Sequence, residues 1–400
     1  MKKILILNTT FNKGGAAQVA RDLFLHFNGK EKFSMFFAFG RGQKNNDPRI
    51  FYFGNKLEMF IHIFLVRFLG LEGFGTYFST IKLINFIRRE RFDLIHIHNL
   101  HGYYVNFFKL LKYLNKNNIK VVWTLHDEWL FTWLPAHSMD CSHCKTLKGK
   151  CVNHYDYPKN YFPVFSRFML SRKRIILLFN NITFVSPANW LYDEAKFEFK
   201  LKNVALIPNG VDSNFFVPAT DKNLLRKKYD LPLDKKIILF SANNFNDKNK
   251  GGEYFLSLAK SLEGQPYIFC VIGSADIPIY DNIIKLGYIS DRRSLSEVYS
   301  LADLYCFLSA IETAPLSVME AMSCGLPIVA FNIKALFGLV DSINGSLSKY
   351  GDVAEMAESI NNIVGSDELL IDMGRESRNK IVKSFEQNNS YSAYEQLYKI

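Results

Sequence analysis

No stretch of this 400-residue sequence is apolar for long enough to cross a bilayer. The most apolar run, Phe60–Leu71, has 12 residues and carries His62 and Arg67 inside it, against the roughly 20 that a spanning helix needs. A secretory leader is not expected either. Lys2 and Lys3 precede an apolar run of only four residues, Ile4–Leu7, and polar Asn8–Thr10 follow; a leader needs a longer apolar segment. The expectation is a cytoplasmic chain, in solution or held at the inner face of the cell membrane. No Gly-x-Gly-x-x-Gly follows a candidate strand, which disfavours a nicotinamide-dependent dehydrogenase. Cysteine is scarce, with six residues at 141, 144, 151, 270, 306 and 324. Without an export signal, disulfides are not expected. Cys270, Cys306 and Cys324 lie among apolar or small residues and read as buried thiols. Repeats and low-complexity tracts are absent.

What is there is a globular chain. Apolar residues make up 48% and charged residues 22%, enough for large cores, and the length suits two domains. Acidic residues are short in one half only. Residues 1–200 hold 29 Lys and Arg against 14 Asp and Glu, a net of +15, and residues 201–400 hold 20 against 24, a net of −4. Such asymmetry points to an anionic partner for the first half, nucleic acid or a membrane surface. Nucleic acid fits worse, because no recognised binding motif accompanies the charge. Segments Leu57–Leu69 and Tyr161–Leu178 mix Phe, Ile and Leu with Arg and Lys. Arg167, Arg172, Lys173 and Arg174 stand beside Phe162, Phe165, Phe168 and Met169. That mixture reads equally as a membrane-interface helix or as core with a solvated face.

Hydrophobic periodicity gives the architecture. Lys3–Asn8 reads as a strand, Gly14-Gly15 as a turn, and Val19, Leu23 and Phe27 as one face of a helix. Phe92–His96, Lys120–Leu125 and Ile182–Val185 are further strands, with a helix over Ile81–Ile87. The second half repeats the theme. Strands are expected at Ile237–Ser241, Tyr267–Ile272, Leu304–Leu308 and Pro327–Phe331, with helices at Glu253–Leu262 and Pro315–Ser323. Alternating strands and helices argue an α/β fold with parallel sheets covered on both faces. Two Rossmann-like domains are expected, 1–205 and 206–383, divided near Pro208-Asn209-Gly210. A terminal amphipathic helix lies within 384–400, with Tyr391, Tyr394 and Leu397 at helical spacing.

One constellation concentrates chemistry: Glu312-Thr-Ala-Pro-Leu-Ser-Val-Met-Glu320, followed by Ala321-Met322-Ser323-Cys324-Gly325-Leu326-Pro327. A strand ends, a loop presents Glu312, and a helix begins near Pro315, where a missing N–H costs nothing. Free amides at such an N-terminus favour phosphate. The two carboxylates can accept hydrogen bonds from sugar hydroxyls. A capping acid and a solvated helix Glu are the bland alternative.

The segment resembles the donor-binding signature of family 4 glycosyltransferases, which have the GT-B fold: two Rossmann-like domains facing across a cleft, with a C-terminal helix crossing back to the first. Leu286-Gly287-Tyr288-Ile289, Leu295, Tyr299, Ala302-Asp303 and Pro208-Asn209-Gly210-Val211-Asp212 are also similar to that family, so the likeness covers the C-terminal half. It implies a nucleoside-diphosphate sugar as donor, UDP in the first instance, and retention of anomeric configuration. The acceptor would be a glycan or a lipid-linked sugar in surface polysaccharide synthesis. By the same likeness, Glu320 would bond the ribose and Glu312 the transferred sugar. Backbone at Thr313, Ala314, Pro315 and Leu316 would meet phosphate or sugar, Gly287–Ile289 the base, and Asn209 and Gly210 would line the donor site. Lys250-Gly251 matches the family's Lys-Gly, and Lys250 would neutralise the leaving diphosphate. The family's Arg about five residues earlier is missing from Ala242–Lys250. Lys248 can stand in, though as a point charge rather than a fork. No cofactor and no catalytic metal are implied.

In the first half, Gly14-Gly15 resembles the family's glycine loop, where backbone approaches the donor or the acceptor. His126 matches a cleft histidine beside the transferred sugar, and Asp127 could orient it. His96 and His98 read better as buried structural residues. Cys141-x2-Cys144-x6-Cys151-x2-His154 has ligand types suited to zinc, or is a loop with free thiols. Two rival readings stand: a nucleotide-sugar epimerase of the same architecture, and a degenerate member that binds sugar or serves as a scaffold.

Overall fold

A computed structural model describes the chain apart from residues 139–140, 149–156, 275–276, 278–279 and 400. The chain forms two units, Met1–Ile207 with Ala393–Ile400, and Pro208–Ser392.

The first unit runs β1 (Lys2–Asn8), α1 (Gly15–Phe27), β2 (Phe33–Phe39), β3 (Ile50–Tyr52), α2 (Lys56–Leu69), α3 (Tyr77–Glu90) and β4 (Leu94–Ile97). It continues through α4 (Phe107–Lys116), β5 (Lys120–Thr124), α5 (Ser142–Thr146), α6 (Ser166–Ile176), β6 (Ile182–Ser186), α7 (Asn189–Asp193) and β7 (Val204–Leu206). All seven strands are parallel, in the order β3-β2-β1-β4-β5-β6-β7. Central strands buried on both faces need continuous apolar sequence, and Ile4 to Leu7 are each 0% exposed. Helix α4 shows the covering logic: Phe107, Leu110, Leu111 and Leu114 face the core.

The second unit runs α8 (Lys222–Lys228), β8 (Lys236–Asn244), α9 (Gly252–Ser261), β9 (Tyr267–Ser274), β10 (Ile283–Gly287), α10 (Arg292–Leu301) and β11 (Leu304–Phe307). There follow α11 (Leu316–Ser323), β12 (Ile328–Phe331), β13 (Gly345–Ser348), α12 (Val353–Val364) and α13 (Asp367–Ser384). Its six strands are parallel, in the order β10-β9-β8-β11-β12-β13. Alternate residues serve opposite faces. Ile237, Leu239, Tyr305 and Phe307 pack with α10 and α11, whereas Ile238, Phe240, Leu304 and Cys306 pack with α9 and α12.

The last helix, α14 (Gln387–Lys399), begins in the second unit and ends in the first. Tyr394 and Tyr398 are buried in the first unit, their hydroxyls 2.9 Å from Thr124 Oγ1 and 2.6 Å from His96 Nδ1. Lys2 Nζ donates to the Lys399 carbonyl at 2.6 Å.

One expectation needs correction. Lys173, read as part of the basic run Arg167–Arg174, is fully buried and donates to the Trp129 carbonyl at 2.6 Å. The helix expected to begin near Pro315 does so, with Pro315 as the N-cap of α11.

Candidate active site

In an open parallel sheet, ligands gather where strand order reverses, beyond the carboxyl ends. In the second unit that place is between β8 and β11. β8 leads through Phe245 to a single tight turn, Lys248–Lys250, and then to α9. β11 leads through Leu308–Ala314 to α11. The two connections are tied together. Ala310 N donates to the Asn249 carbonyl at 2.9 Å. Gly251 lies against Leu308 with φ 78°, and a Cβ there would stand 2.2 Å from the Leu308 carbonyl oxygen. Only glycine meets both demands. The tie delivers Lys250 to Glu312, and Nζ and Oε1 form an ion pair with side chains 31% and 25% exposed.

Other predicted residues join this group. Thr313 is buried, and Asn209 reaches the Ala314 carbonyl at 3.5 Å. Gly210 is held where Val211 N bonds the Phe385 carbonyl, and a Cβ on it would lie 2.5 Å from Gln387 Cα. Leu316 opens α11, and no side chain caps that helix start. Glu320 is 5% exposed. Beside it, Tyr305 OH meets Ser241 Oγ at 2.6 Å. Burial, aided by the Glu320 charge, pushes the Tyr305 hydroxyl up to about 12 and holds Tyr299 well above its ordinary value. Ser241, Tyr299 and Tyr305 escaped sequence reasoning as site residues. Ser241 alone left a signal, as a polar residue at the end of an apolar strand.

Lys248 is exposed on the same turn as Lys250. Gly287, Tyr288 and Ile289 lie at the end of edge strand β10, two strands from β8. Tyr288 is 67% exposed and Ile289 packs on the core. They do not join the Lys250–Glu312 cluster directly.

In the first unit the strand order reverses between β1 and β4, and the predicted residues lie there. Gly14 takes φ 95° at the N-terminus of α1, and nothing stands within 4 Å of where its Cβ would be. Gly14 and Gly15 are exposed, so backbone amides at this helix start are approachable. At the ends of β4 and β5 the histidines pair. His98 Nδ1 lies 2.9 Å from His126 Nε2, and His101 Nε2 lies 2.6 Å from Asp127 Oδ2. Burial lowers His126 to about 4, and holds His98 well below its ordinary value. Both rings are therefore neutral at pH 7, and a single N–H bridges them. Burial pushes the Asp127 carboxyl up, but the charge and hydrogen bond of His101, with His137 and the Trp129 amide, together outweigh it, and Asp127 ends at about 2. His96 is wholly buried between Thr124 and Tyr398, a structural residue.

Cys141 is half-buried and Cys144 buried, while Cys151 and His154 of the candidate zinc set lie outside the described residues. Among the described residues, no group of His, Cys, Asp and Glu could hold a metal ion. Cys270, Cys306 and Cys324 are buried, and burial pushes the Cys270 and Cys324 thiols up to about 12.

Comparison with known proteins bears on what these sites do. Residues 13–215, just over half the chain, match the model of Glycosyltransferase Family 4. Residues 221–380 match that of Glycosyl transferases group 1. A protein of Escherichia coli K12 named for colanic acid biosynthesis glycosyl transfer is 23% identical over 89% of this chain and 89% of its own. An E. coli galactosyltransferase named for UDP-Gal and a GlcNAc-diphosphoundecaprenol acceptor is 28% identical over 46% of this chain and 50% of its own. Among solved structures, sucrose-phosphate synthase of Thermosynechococcus elongatus superposes with a TM-score of 0.72 at 17% identity, covering 100% of this chain and 98% of that one. HepE of Anabaena, solved with UDP and glucose, gives 0.69 at 15% identity over 100% of both. These last two likenesses establish the GT-B fold. On its sequence match across more than half its length, the chain belongs to Glycosyltransferase Family 4 and is a glycosyltransferase.

Proposed function

We propose that this glycosyltransferase moves a hexose from UDP-hexose to a lipid-linked or glycan acceptor in surface polysaccharide synthesis, with retention of configuration. The observation that carries the donor half is the Lys250–Glu312 pair, held at the strand-order reversal by the Gly251–Leu308 contact. A donor entering there meets a cation for its diphosphate, a carboxylate for its sugar, and the amides opening α11. As the sugar–phosphate bond breaks, negative charge grows on the leaving UDP, and groups already fixed around it stabilise that charge without reorganising. Lys250 then exchanges Glu312 for phosphate, which frees Glu312 to accept from a sugar hydroxyl. Glu320 takes the ribose. Among the described residues of the second unit, no carboxylate stands out as a covalent nucleophile, which favours attack on the face the leaving group vacates. His126, neutral and bonded to His98, is the hydrogen-bond donor toward the sugar. No metal or cofactor is assigned a part. The acceptor half follows the relatives named for polysaccharide and diphosphoundecaprenol substrates.

The test is donor hydrolysis without acceptor. NMR of UDP-glucose and UDP-galactose reactions should show slow release of the α-anomer. Release of the β-anomer would overturn retention. UDP binding with no hydrolysis or transfer would leave a sugar-binding protein, the outcome that the missing arginine favours.

A further inference from the structure

Helix α2 presents its faces in reverse. Its fully buried positions are Glu58, His62 and Val66, two of them ionisable. Both polar groups are satisfied inside: Glu58 accepts from the amides of Phe78 and Ser79 at 2.7 and 2.8 Å, and His62 Nε2 from Gly73 N at 2.6 Å. The outward stripe is apolar. Leu57, Phe60, Ile61, Phe64 and Phe68 are 70, 63, 47, 57 and 40% exposed, at spacings of three and four. Scattered exposed apolar residues are ordinary, but a continuous stripe marks an interaction surface.

The stripe continues onto the chain before α6. Asn160 Nδ2 and Tyr161 N each donate at 2.7 Å to carbonyls of Val66 and Arg67, and the Phe68 and Tyr161 rings lie 5.7 Å apart. Phe162 beyond them is 56% exposed. The charge around this face has one sign. The only acids between residues 48 and 89 are Glu58 and Glu72, both buried, and none occurs between 157 and 192. Lys56, Arg67, Lys159, Arg167, Arg172 and Arg174 are exposed.

We infer that this face docks on an anionic lipid surface, with the aromatic stripe entering the headgroup boundary and the bases meeting lipid phosphate. Amphipathic helices bind membranes by that combination. A second copy of the chain fits worse, since two such faces would set like charges together. The inference gives physical form to the lipid-linked acceptor of the reading above and rests on that reading only there.

Co-sedimentation with phosphatidylglycerol–phosphatidylcholine vesicles tests it, with UDP affinity measured on the same preparations. Binding should require the anionic lipid and fall as salt rises. The pair Phe60→Ser and Phe64→Ser should cut partitioning about tenfold or more, because each loses a buried ring. Thermal midpoint and UDP affinity should stay as in the parent. Arg67→Ser with Arg172→Ser should weaken binding to anionic vesicles. Equal binding to pure phosphatidylcholine, or vesicle binding indifferent to the Phe changes, overturns the inference. So does a dimer seen by light scattering that Phe60→Ser abolishes while no vesicle is bound. Loss of UDP binding with vesicle binding intact would remove the donor reading and leave the surface standing.

Discussion

Glu320 sits in the last turns of α11, nearly out of solvent, with Tyr299 and Tyr305 protonated beside it. Its burial makes it a sensitive probe. Glu320→Gln keeps the shape and removes the charge. UDP affinity should fall by a charge-assisted hydrogen bond, on the order of 1.5–3 kcal/mol. Calorimetry reads this directly, and unchanged affinity would remove the ribose role. His98 offers a second residue-scale test. It positions His126 through one shared proton, so His98→Phe should lower kcat while KM for the donor stays near that of the parent. His98→Asn, which can still bond the ring, should recover part of the rate; equal loss in both variants would reduce His98 to packing. The part of His98 was not legible in the sequence alone. The spacing of 28 residues between His98 and His126 belongs to neighbouring strands β4 and β5, and only their parallel register brings the rings together. Glu312 and Glu320 were legible, because one strand–loop–helix unit holds both.

The Lys248–Gly251 turn and the Leu308–Ala314 loop act as one piece. Gly251→Ala should be costly, since its Cβ would enter a backbone oxygen and its φ is left-handed, a strain of about 1–3 kcal/mol or more. Lys250→Met should behave differently. The ion pair with Glu312 is a quarter to a third exposed, and such pairs contribute about 1 kcal/mol or less. Melting should therefore change little for Lys250→Met while UDP affinity and hydrolysis fall together. A large loss of stability with normal UDP binding would make the pair structural. Regular elements with one apolar face, α1 and α9 among them, were readable from periodicity. β2, whose run Phe33–Phe39 is almost all buried, passed unread beside its flanking polar turns. For α2, read over Leu57–Leu69, the buried face was unreadable for a physical reason: a pattern with ionisable residues inside and Phe outside inverts the rule by which a helix face is assigned. Short edge strands such as β3, β7 and β10 owe their pairing to neighbours rather than to their own few residues.

Across the molecule, ionisable character is divided between the units. All nine histidines lie within residues 26–154, and residues 208–392 contain none. Burial lowers His62 and His96 to about 3 and His126 to about 4, and His98 is lowered as well. The unfolded chain takes up these protons near pH 6.5, whereas the folded unit refuses them until pH 4 or below. The histidine contribution to the stability of the first unit is thus complete above pH 6.5 and drains as pH falls from 6.5 toward 4, at about 1.4 kcal/mol per pH unit for each such ring, offset in part by Glu72 and Glu194, whose carboxyls burial raises to about 7. The second unit has no group titrating in that window by this route. All four tryptophans, 123, 129, 133 and 190, lie in the first unit. Their fluorescence should report an acid transition near pH 5, while nucleotide binding by the second unit persists to lower pH. Simultaneous loss of both signals would show that the units melt as one.

The terminal helix has a consequence for how the protein is made. Tyr394 and Tyr398 complete the hydrogen bonds of Thr124 and His96, so the first 207 residues leave the ribosome with part of their interior still unsynthesised. The later-made unit is contiguous and can finish earlier, and the N-terminal unit closes only when the final turn emerges. The usual order, N-terminal domain first, is reversed for its last step. A chain stopped at residue 392 should carry a folded second unit and an N-terminal half that proteases digest, and the peptide 393–400 supplied in trans should restore some protection.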